Sequence, residues 1–329
     1  MAEITAFLAR HGWGTAERRP LAGDASARRY ERIRHGGQSA VLMIAPPGAE
    51  FARFLSVDAW LLAQGFSAPQ ILAAAPETGL MLLEDFGDAV LARLLTLQPE
   101  NQPAFYAAIT DFLIALHACP VPDFLAPLDG PALAELVGLV PAWYPLADLA
   151  AGAELVPLIA SLWAETEPFA PVMCLRDFHA ENVIWLPGRA GSARLGLLDF
   201  QDAVVAAPAY DLVSALQDAR RDVPAAIEAR ERARYVALRG FDPVQFEASY
   251  ALLGAQRALR ILAIFARLCL AGGKPQYLAL IPRVWGYLRR NLGAPGLAPL
   301  RRVVDAALLP PTPDLLARME RECGQHLMR

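Results

Sequence analysis

Leu175-Arg176-Asp177-Phe178-His179-Ala180-Glu181-Asn182 is the stretch that decides how this 329-residue chain is read. An aspartate and an asparagine stand five positions apart in it. A second acidic box, Leu198-Asp199-Phe200-Gln201-Asp202, follows, and then Pro208-Ala209-Tyr210-Asp211-Leu212. Between the boxes the pattern is that of strands. Val183-Ile184-Trp185-Leu186 and Arg194-Leu195-Gly196-Leu197-Leu198 flank a turn built on Pro187-Gly188 and Gly191-Ser192. Residues 183–198 are therefore expected to form a hairpin, whose two ends lie side by side. Asn182 precedes the first strand and Asp199 ends the second, so closure brings an amide oxygen and a carboxylate to one place. Two such oxygen donors suit the hard cation magnesium. Asp177 stands a few residues upstream, near enough to accept a proton from an acceptor. Asp-x-x-x-x-Asn alone is common by chance, and so is Asp-Phe. Both together, joined by a short hairpin and followed by Pro-x-x-Asp-Leu, are not. The order points to phosphoryl transfer: Asp177 orients an acceptor hydroxyl, and Asn182 and Asp199 hold magnesium under a nucleotide triphosphate.

The neighbours of these residues carry weaker expectations. His179 lies inside the loop and is expected to brace it, on the acceptor side. Glu181, Gln201 and Asp202 border the same cleft and could bind acceptor hydroxyls. Asp211 starts a helix after a proline-containing loop; capping that helix or bracing the catalytic loop is a structural role in either case. Arg257, Arg260 and Arg267 fall within roughly an 80° arc of one helix at about 100° per residue. A row of arginines on so apolar a helix must meet carboxylates, such as Asp211 or Asp218, or a pocket.

Upstream, residues 2–11 read as a short amphipathic helix. Residues 28–33 and 39–44 read as a hairpin about Gly36-Gly37. Residues 50–64 have helical spacing and stop at Gly65, and residues 71–75 and 80–83 read as two more strands. The first 83 residues thus form a small sheet with one helix, the N-lobe (1–83). Residues 84–90 form a hinge, and residues 91–329, mainly helical, form a C-lobe with the catalytic loop, metal hairpin and acceptor site. The phosphate cradle is expected in the small-residue run Gly23-Asp24-Ala25-Ser26, which ends at Arg28 as a strand begins. Glu84, Asp85 and Phe86 of the hinge are expected to meet the adenine edge, through backbone more than side chain.

Composition narrows the class. Hydrophobic residues make up 55% of the chain and mean hydropathy is +0.30, so a large core can be buried. A net charge of −4 and a single lysine, Lys274, exclude a nucleic-acid partner, which demands clustered cations. The four cysteines, at 119, 174, 269 and 323, form no Cys-x-x-Cys pair and have no histidine at zinc spacing, so they read as reduced thiols. No basic region followed by an apolar core opens the chain, and arginines interrupt the most apolar segment, residues 251–271. A cytoplasmic enzyme that acts as a monomer on a small molecule, with no membrane partner, is expected.

The C-terminal boxes resemble those of the aminoglycoside phosphotransferase-like kinases, which implies an α+β, bilobal protein-kinase-like fold using ATP and Mg2+. The finer pattern is similar to the bacterial N-acetylmuramate/N-acetylglucosamine kinases. The matching segments are Gly23-Asp24-Ala25-Ser26-Ala27-Arg28-Arg29-Tyr30, Ala40-Val41-Leu42-Met43, Leu82-Leu83-Glu84-Asp85, Leu198-Asp199-Phe200-Gln201-Asp202-Ala203, Gln217-Asp218-Ala219-Arg220-Arg221 and Gly254-Ala255-Gln256-Arg257. That resemblance implies transfer of the ATP γ-phosphate to the C1 hydroxyl of a free amino sugar in peptidoglycan recycling, with Arg257 as a candidate for the lactyl carboxylate of N-acetylmuramate. One departure from the general kinase pattern is large. The second strand of the N-lobe hairpin should carry a phosphate-contacting lysine, and Met43 stands there; no lysine precedes Lys274. No partner glutamate is evident on the next helix either, Glu50 and Asp58 being poor candidates. Arg28 is the expected substitute cation. Two alternatives remain: the same chemistry on an aminoglycoside or other small alcohol, and a catalytically inactive nucleotide-binding pseudokinase, for which the missing lysine is the only support.

Overall fold

The computed structural model describes residues 2–21, 28–166 and 169–326. The nine strands among them are β1 (Glu17–Pro20), β2 (Arg29–His35), β3 (Gln38–Ile44), β4 (Ile71–Ala75), β5 (Leu80–Glu84), β6 (Val172–Cys174), β7 (Val183–Trp185), β8 (Leu195–Leu197) and β9 (Val204–Ala206). The chain divides into two compact units, residues 1–122 with 175–203, and residues 123–174 with 204–329.

The first unit is built on an antiparallel sheet of order β1-β2-β3-β5-β4. The expected hairpin is β2–β3, with Arg29 opposite Ile44 and Tyr30 opposite Met43. Strand alternation sorts its side chains. Ala40 and Leu42 join Ile33, Leu80 and Leu82 in a cluster with Phe7 and Leu8 of helix α1 (Ala2–Arg10), while Met43 is directed to the opposite face. Burial of these side chains contributes roughly 1.5–3 kcal/mol each. Helix α2 (Ala49–Ala63) buries Phe51, Phe54, Val57, Asp58 and Leu61, a face set by i, i+3, i+4 and i+7 spacing. Strand β1 is absent from the sequence reading: Glu-Arg-Arg-Pro is short, polar and proline-ended, a composition suited to an exposed edge.

The hairpin of β7 and β8 belongs to this unit as well. Val183 pairs with Leu197 and Trp185 with Leu195. Its sides are held by single bridges, Val90 to Ile184 and Ser67 to Gly196. Gly196 permits a close approach: a Cβ there would lie 2.9 Å from the Phe86 ring.

The second unit is mainly helical. Its core is formed by the 28-residue helix Pro243–Leu270 packed with Ile281–Asn291, Leu155–Glu165 and Ala298–Ala307. It also holds a two-stranded ribbon, β6 with β9, in which Cys174 pairs with Val204. Unlike the equally short β7 and β8, these two strands are far apart in the chain and share no turn that would mark them as a pair, so the sequence reading does not include this ribbon. None of the helices among the described residues is long and apolar enough to cross a membrane.

Candidate active site

The ends of the β7–β8 hairpin meet as expected: the Leu198 N–H donates to the Asn182 carbonyl at 2.9 Å, one residue before Asp199. The loop leading in is tightly wound. His179 N–H donates to the Asp177 carbonyl (3.1 Å), and Asn182 N–H donates to the His179 carbonyl (2.9 Å). The Asn182 side chain closes the turn by donating its Nδ2 to that same Asp177 carbonyl at 2.9 Å. Asp177, His179 and Asn182 are therefore brought together, with His179 bracing the loop through its backbone. Glu181 points outward and is exposed.

Two phenylalanines anchor the acidic boxes. Phe178 stacks on Phe112 at 5.0 Å, and Phe200 meets Phe54 of α2 at 4.8 Å. Each is the residue after an aspartate, so burying the ring fixes where the carboxylate projects. Arg176 (φ 73°) and Asp199 (φ 56°) are the non-glycine residues of positive φ among those described. Such backbone costs roughly 1–2 kcal/mol per residue, and it recurs where surrounding packing over-determines a functional position.

Arg28 completes the cluster. Its guanidinium donates Nη1 to Gln201 Oε1 (2.6 Å) and Nη2 to Asp199 Oδ1 (2.8 Å). Its Nε lies 3.2 Å from Glu50 Oε1. Burial opposes the charge on Arg28, but Tyr30, Asp199 and Glu50 outweigh it and hold its pKa above the usual value. Glu50 thus corrects the expectation that α2 offers no acidic partner. The pairing is not legible in the sequence because the cation comes from the residue just before β2, not from β3, where the kinase pattern puts a lysine.

Gln201 is a second correction. Expected at the acceptor, it is 1% exposed. Its amide is committed to Arg28, to Asp199 Oδ1 (3.1 Å) and to Asp202 Oδ2 (3.2 Å). Asp202 in turn lies 3.9 Å from the Arg53 guanidinium of α2.

At the hinge, Glu84 remains in β5 and its N–H donates to the Gln70 carbonyl at 2.8 Å, which removes that donor from any nucleotide edge. The Glu84 carboxylate pairs with Arg189, whose guanidinium lies over the Phe86 ring at 5.2 Å. Asp85 accepts from Arg32 and from Gly87 N–H, and its pKa is lowered: burial opposes, but these bonds prevail. Gly23, Asp24, Ala25 and Ser26 lie outside the described residues.

In the second unit, Asp211 is fully buried in the first turn of the helix Ala209–Leu216, not at its cap, which is Pro208. Arg257 is 8% exposed, donates to Ser214 Oγ at 2.7 Å and lies over the Tyr210 ring at 4.7 Å. Asp218 accepts from the Arg221 guanidinium at 2.8 Å. Arg257 is placed as a core cation, which corrects its assignment to the acceptor.

The donor chemistry fits magnesium. Asn182 commits its Nδ2 to the loop, so the amide oxygen remains for a metal. The hydrogen bonds of Asp199 to Arg28 and Gln201 both end on Oδ1, and its side chain is 43% exposed. An all-oxygen pair with one accessible carboxylate is what a hard divalent cation takes.

The chain is similar to known proteins over most of its length. An N-acetylmuramate/N-acetylglucosamine kinase of Caulobacter vibrioides is 42% identical, over 92% of this chain and 95% of its own. One of the same name from Pseudomonas aeruginosa is 33% identical, over 84% of this chain and 85% of its own. The crystal structure of a choline/ethanolamine kinase family protein from Mesorhizobium loti superposes with a TM-score of 0.64 at 16% identity, covering 97% of this chain and 99% of that one. That likeness shows the fold, an α+β protein-kinase-like one. The family model described as "Phosphotransferase enzyme family" matches residues 17–248, and with relatives this similar along most of its length the chain belongs to that family.

Proposed function

We propose that the chain is an ATP-dependent sugar kinase, transferring the γ-phosphate to the anomeric C1 hydroxyl of N-acetylmuramate, N-acetylglucosamine or both, in cytoplasmic recycling of cell-wall amino sugars. The observation that carries this reading is the closure of the β7–β8 hairpin, which joins Asn182 and Asp199 beside the Asp177 loop. The names of the two curated relatives support the choice of sugar.

In this reading Asp177 accepts the proton of the acceptor hydroxyl and aims it. A hemiacetal hydroxyl is more acidic than an ordinary alcohol, so orientation is the larger part of that task. Asn182 Oδ1 and the Asp199 carboxylate would hold magnesium, which would supply neutralisation of the phosphate charge in the transition state. Arg28 adds a fixed cation beside Asp199. Asp85 and Phe86 present the hinge backbone to the adenine, and Gly23 to Ser26 form the cradle over the phosphates. Residues 1–83 act as the nucleotide lobe, 84–90 as the hinge and 91–329 as the acceptor lobe, in a monomer. His179, Glu181 and Asp202 border the acceptor.

A coupled assay of ADP release over N-acetylmuramate, N-acetylglucosamine, glucose and kanamycin tests this. The two N-acetyl sugars should support turnover, and their methyl glycosides, blocked at C1, should not. Turnover of a methyl glycoside, or of kanamycin alone, would overturn the assignment.

A further inference from the structure

Met43 occupies the strand position where a phosphate-contacting lysine is expected, yet a cation reaches the same space. Met43, Arg28, Glu50 and Gln201 all line one small recess. Arg28 enters it from the residue just before β2, which pairs with β3 so that Tyr30 faces Met43. The guanidinium uses two separate edges. Its Nε is turned to Glu50 on α2 (3.2 Å), and its Nη atoms are turned to Asp199 and Gln201 (2.8 and 2.6 Å).

We propose that Glu50 is a positioning residue: it grips the Nε edge of Arg28 and so keeps the Nη fork aimed at the metal-and-phosphate side of the site. An arginine–glutamate pair thereby does what a strand lysine and helix glutamate do in other phosphoryl-transfer enzymes. This rests on the kinase reading above and assigns the function of its missing lysine. The division of labour follows from guanidinium chemistry. A planar fork can bind a carboxylate on one edge while presenting two donors to an anion on the other, which an ammonium cannot do with fixed direction. Arg28 is buried and its rotamer is held from both sides. Loss of Glu50 frees the Nε edge and leaves the guanidinium held through its Nη atoms, so the fork is aimed less tightly. The Glu50 side chain is itself 50% exposed, so its replacement is a mild change for folding.

The test compares Glu50→Gln, Arg28→Ala and the double variant by ADP calorimetry, ATP KM, kcat and thermal midpoint. Glu50→Gln should weaken ADP binding and raise ATP KM about three- to tenfold, with sugar KM unmoved and kcat moved far less. Arg28→Ala should cost about tenfold or more, and the double variant should match Arg28→Ala, because Glu50 acts only through that side chain. Additive losses, or a Glu50→Gln protein with wild-type ADP binding, overturn the proposal. The kinase reading fails separately, when wild-type protein binds ADP but releases none from ATP with any sugar; the binding comparison still decides the role of Glu50. Wild-type protein that binds no ADP overturns both.

Discussion

The side-chain amide of Asn182 donates to the backbone carbonyl of Asp177 at 2.9 Å. One side chain thus fixes the loop with its nitrogen, and in the proposed mechanism its oxygen would meet a cation. Asn182→Ala removes both functions. It should lower kcat about 10- to 100-fold and raise the magnesium concentration for half-maximal rate. Rate against magnesium at saturating ATP measures this; an unchanged magnesium curve argues against metal ligation by Asn182.

In the proposed mechanism Asp177 has the narrower task of aiming the acceptor. Asp177→Ala should reduce kcat by about 10²–10⁴ and leave ADP affinity unaltered. Steady-state kinetics with calorimetry separates the two. A rate within a few fold of wild type contradicts the role.

Gln201 is a test of buried polar bookkeeping. Its amide joins Arg28, Asp199 and Asp202 while 1% exposed. Gln201→Ala leaves those partners short of a bond, at a cost of about 1–3 kcal/mol. Urea unfolding should show that loss, while sugar KM stays near its wild-type value. A selective rise in sugar KM without loss of stability restores Gln201 to the acceptor.

The catalytic loop and hairpin could be read from the chain because they are local. Their residues lie within 26 positions, 177 to 202, and strand period and turn residues fix their closure. The Arg28–Glu50 pair could not be read in this way. Its members come from a strand start and a helix first turn, and only the sheet register brings them together. Gln201 and Arg257 failed for a related reason: sequence gives their polarity but not their burial, and polar side chains at 1% and 8% exposure are committed to protein partners. Strands β1, β6 and β9 are as short as β7 and β8 or nearly so, but no adjoining turn marks their partners, so nothing separates them from loops.

Asp58 gives a pH-dependent prediction that concerns stability. It lies on the buried face of α2, is 1% exposed, and its Oδ1 has no hydrogen-bond partner among the described residues. Burial alone pushes its pKa up to about 7 from 3.8. The folded state therefore holds a proton that the unfolded chain releases. Below the unfolded value both forms are neutral and no penalty exists. Between about pH 4 and pH 7 the unfolded chain ionises while the folded one does not, so stability falls as pH rises, by an amount on the order of a few kcal/mol. Above pH 7 the loss levels off. Asp58→Asn is neutral throughout and should flatten this slope, leaving the variant more stable relative to wild type at pH 8 than at pH 5. Chemical denaturation at the two pH values reads the difference. Parallel wild-type and variant curves would show that Asp58 ionises in the folded protein as it does in the unfolded chain.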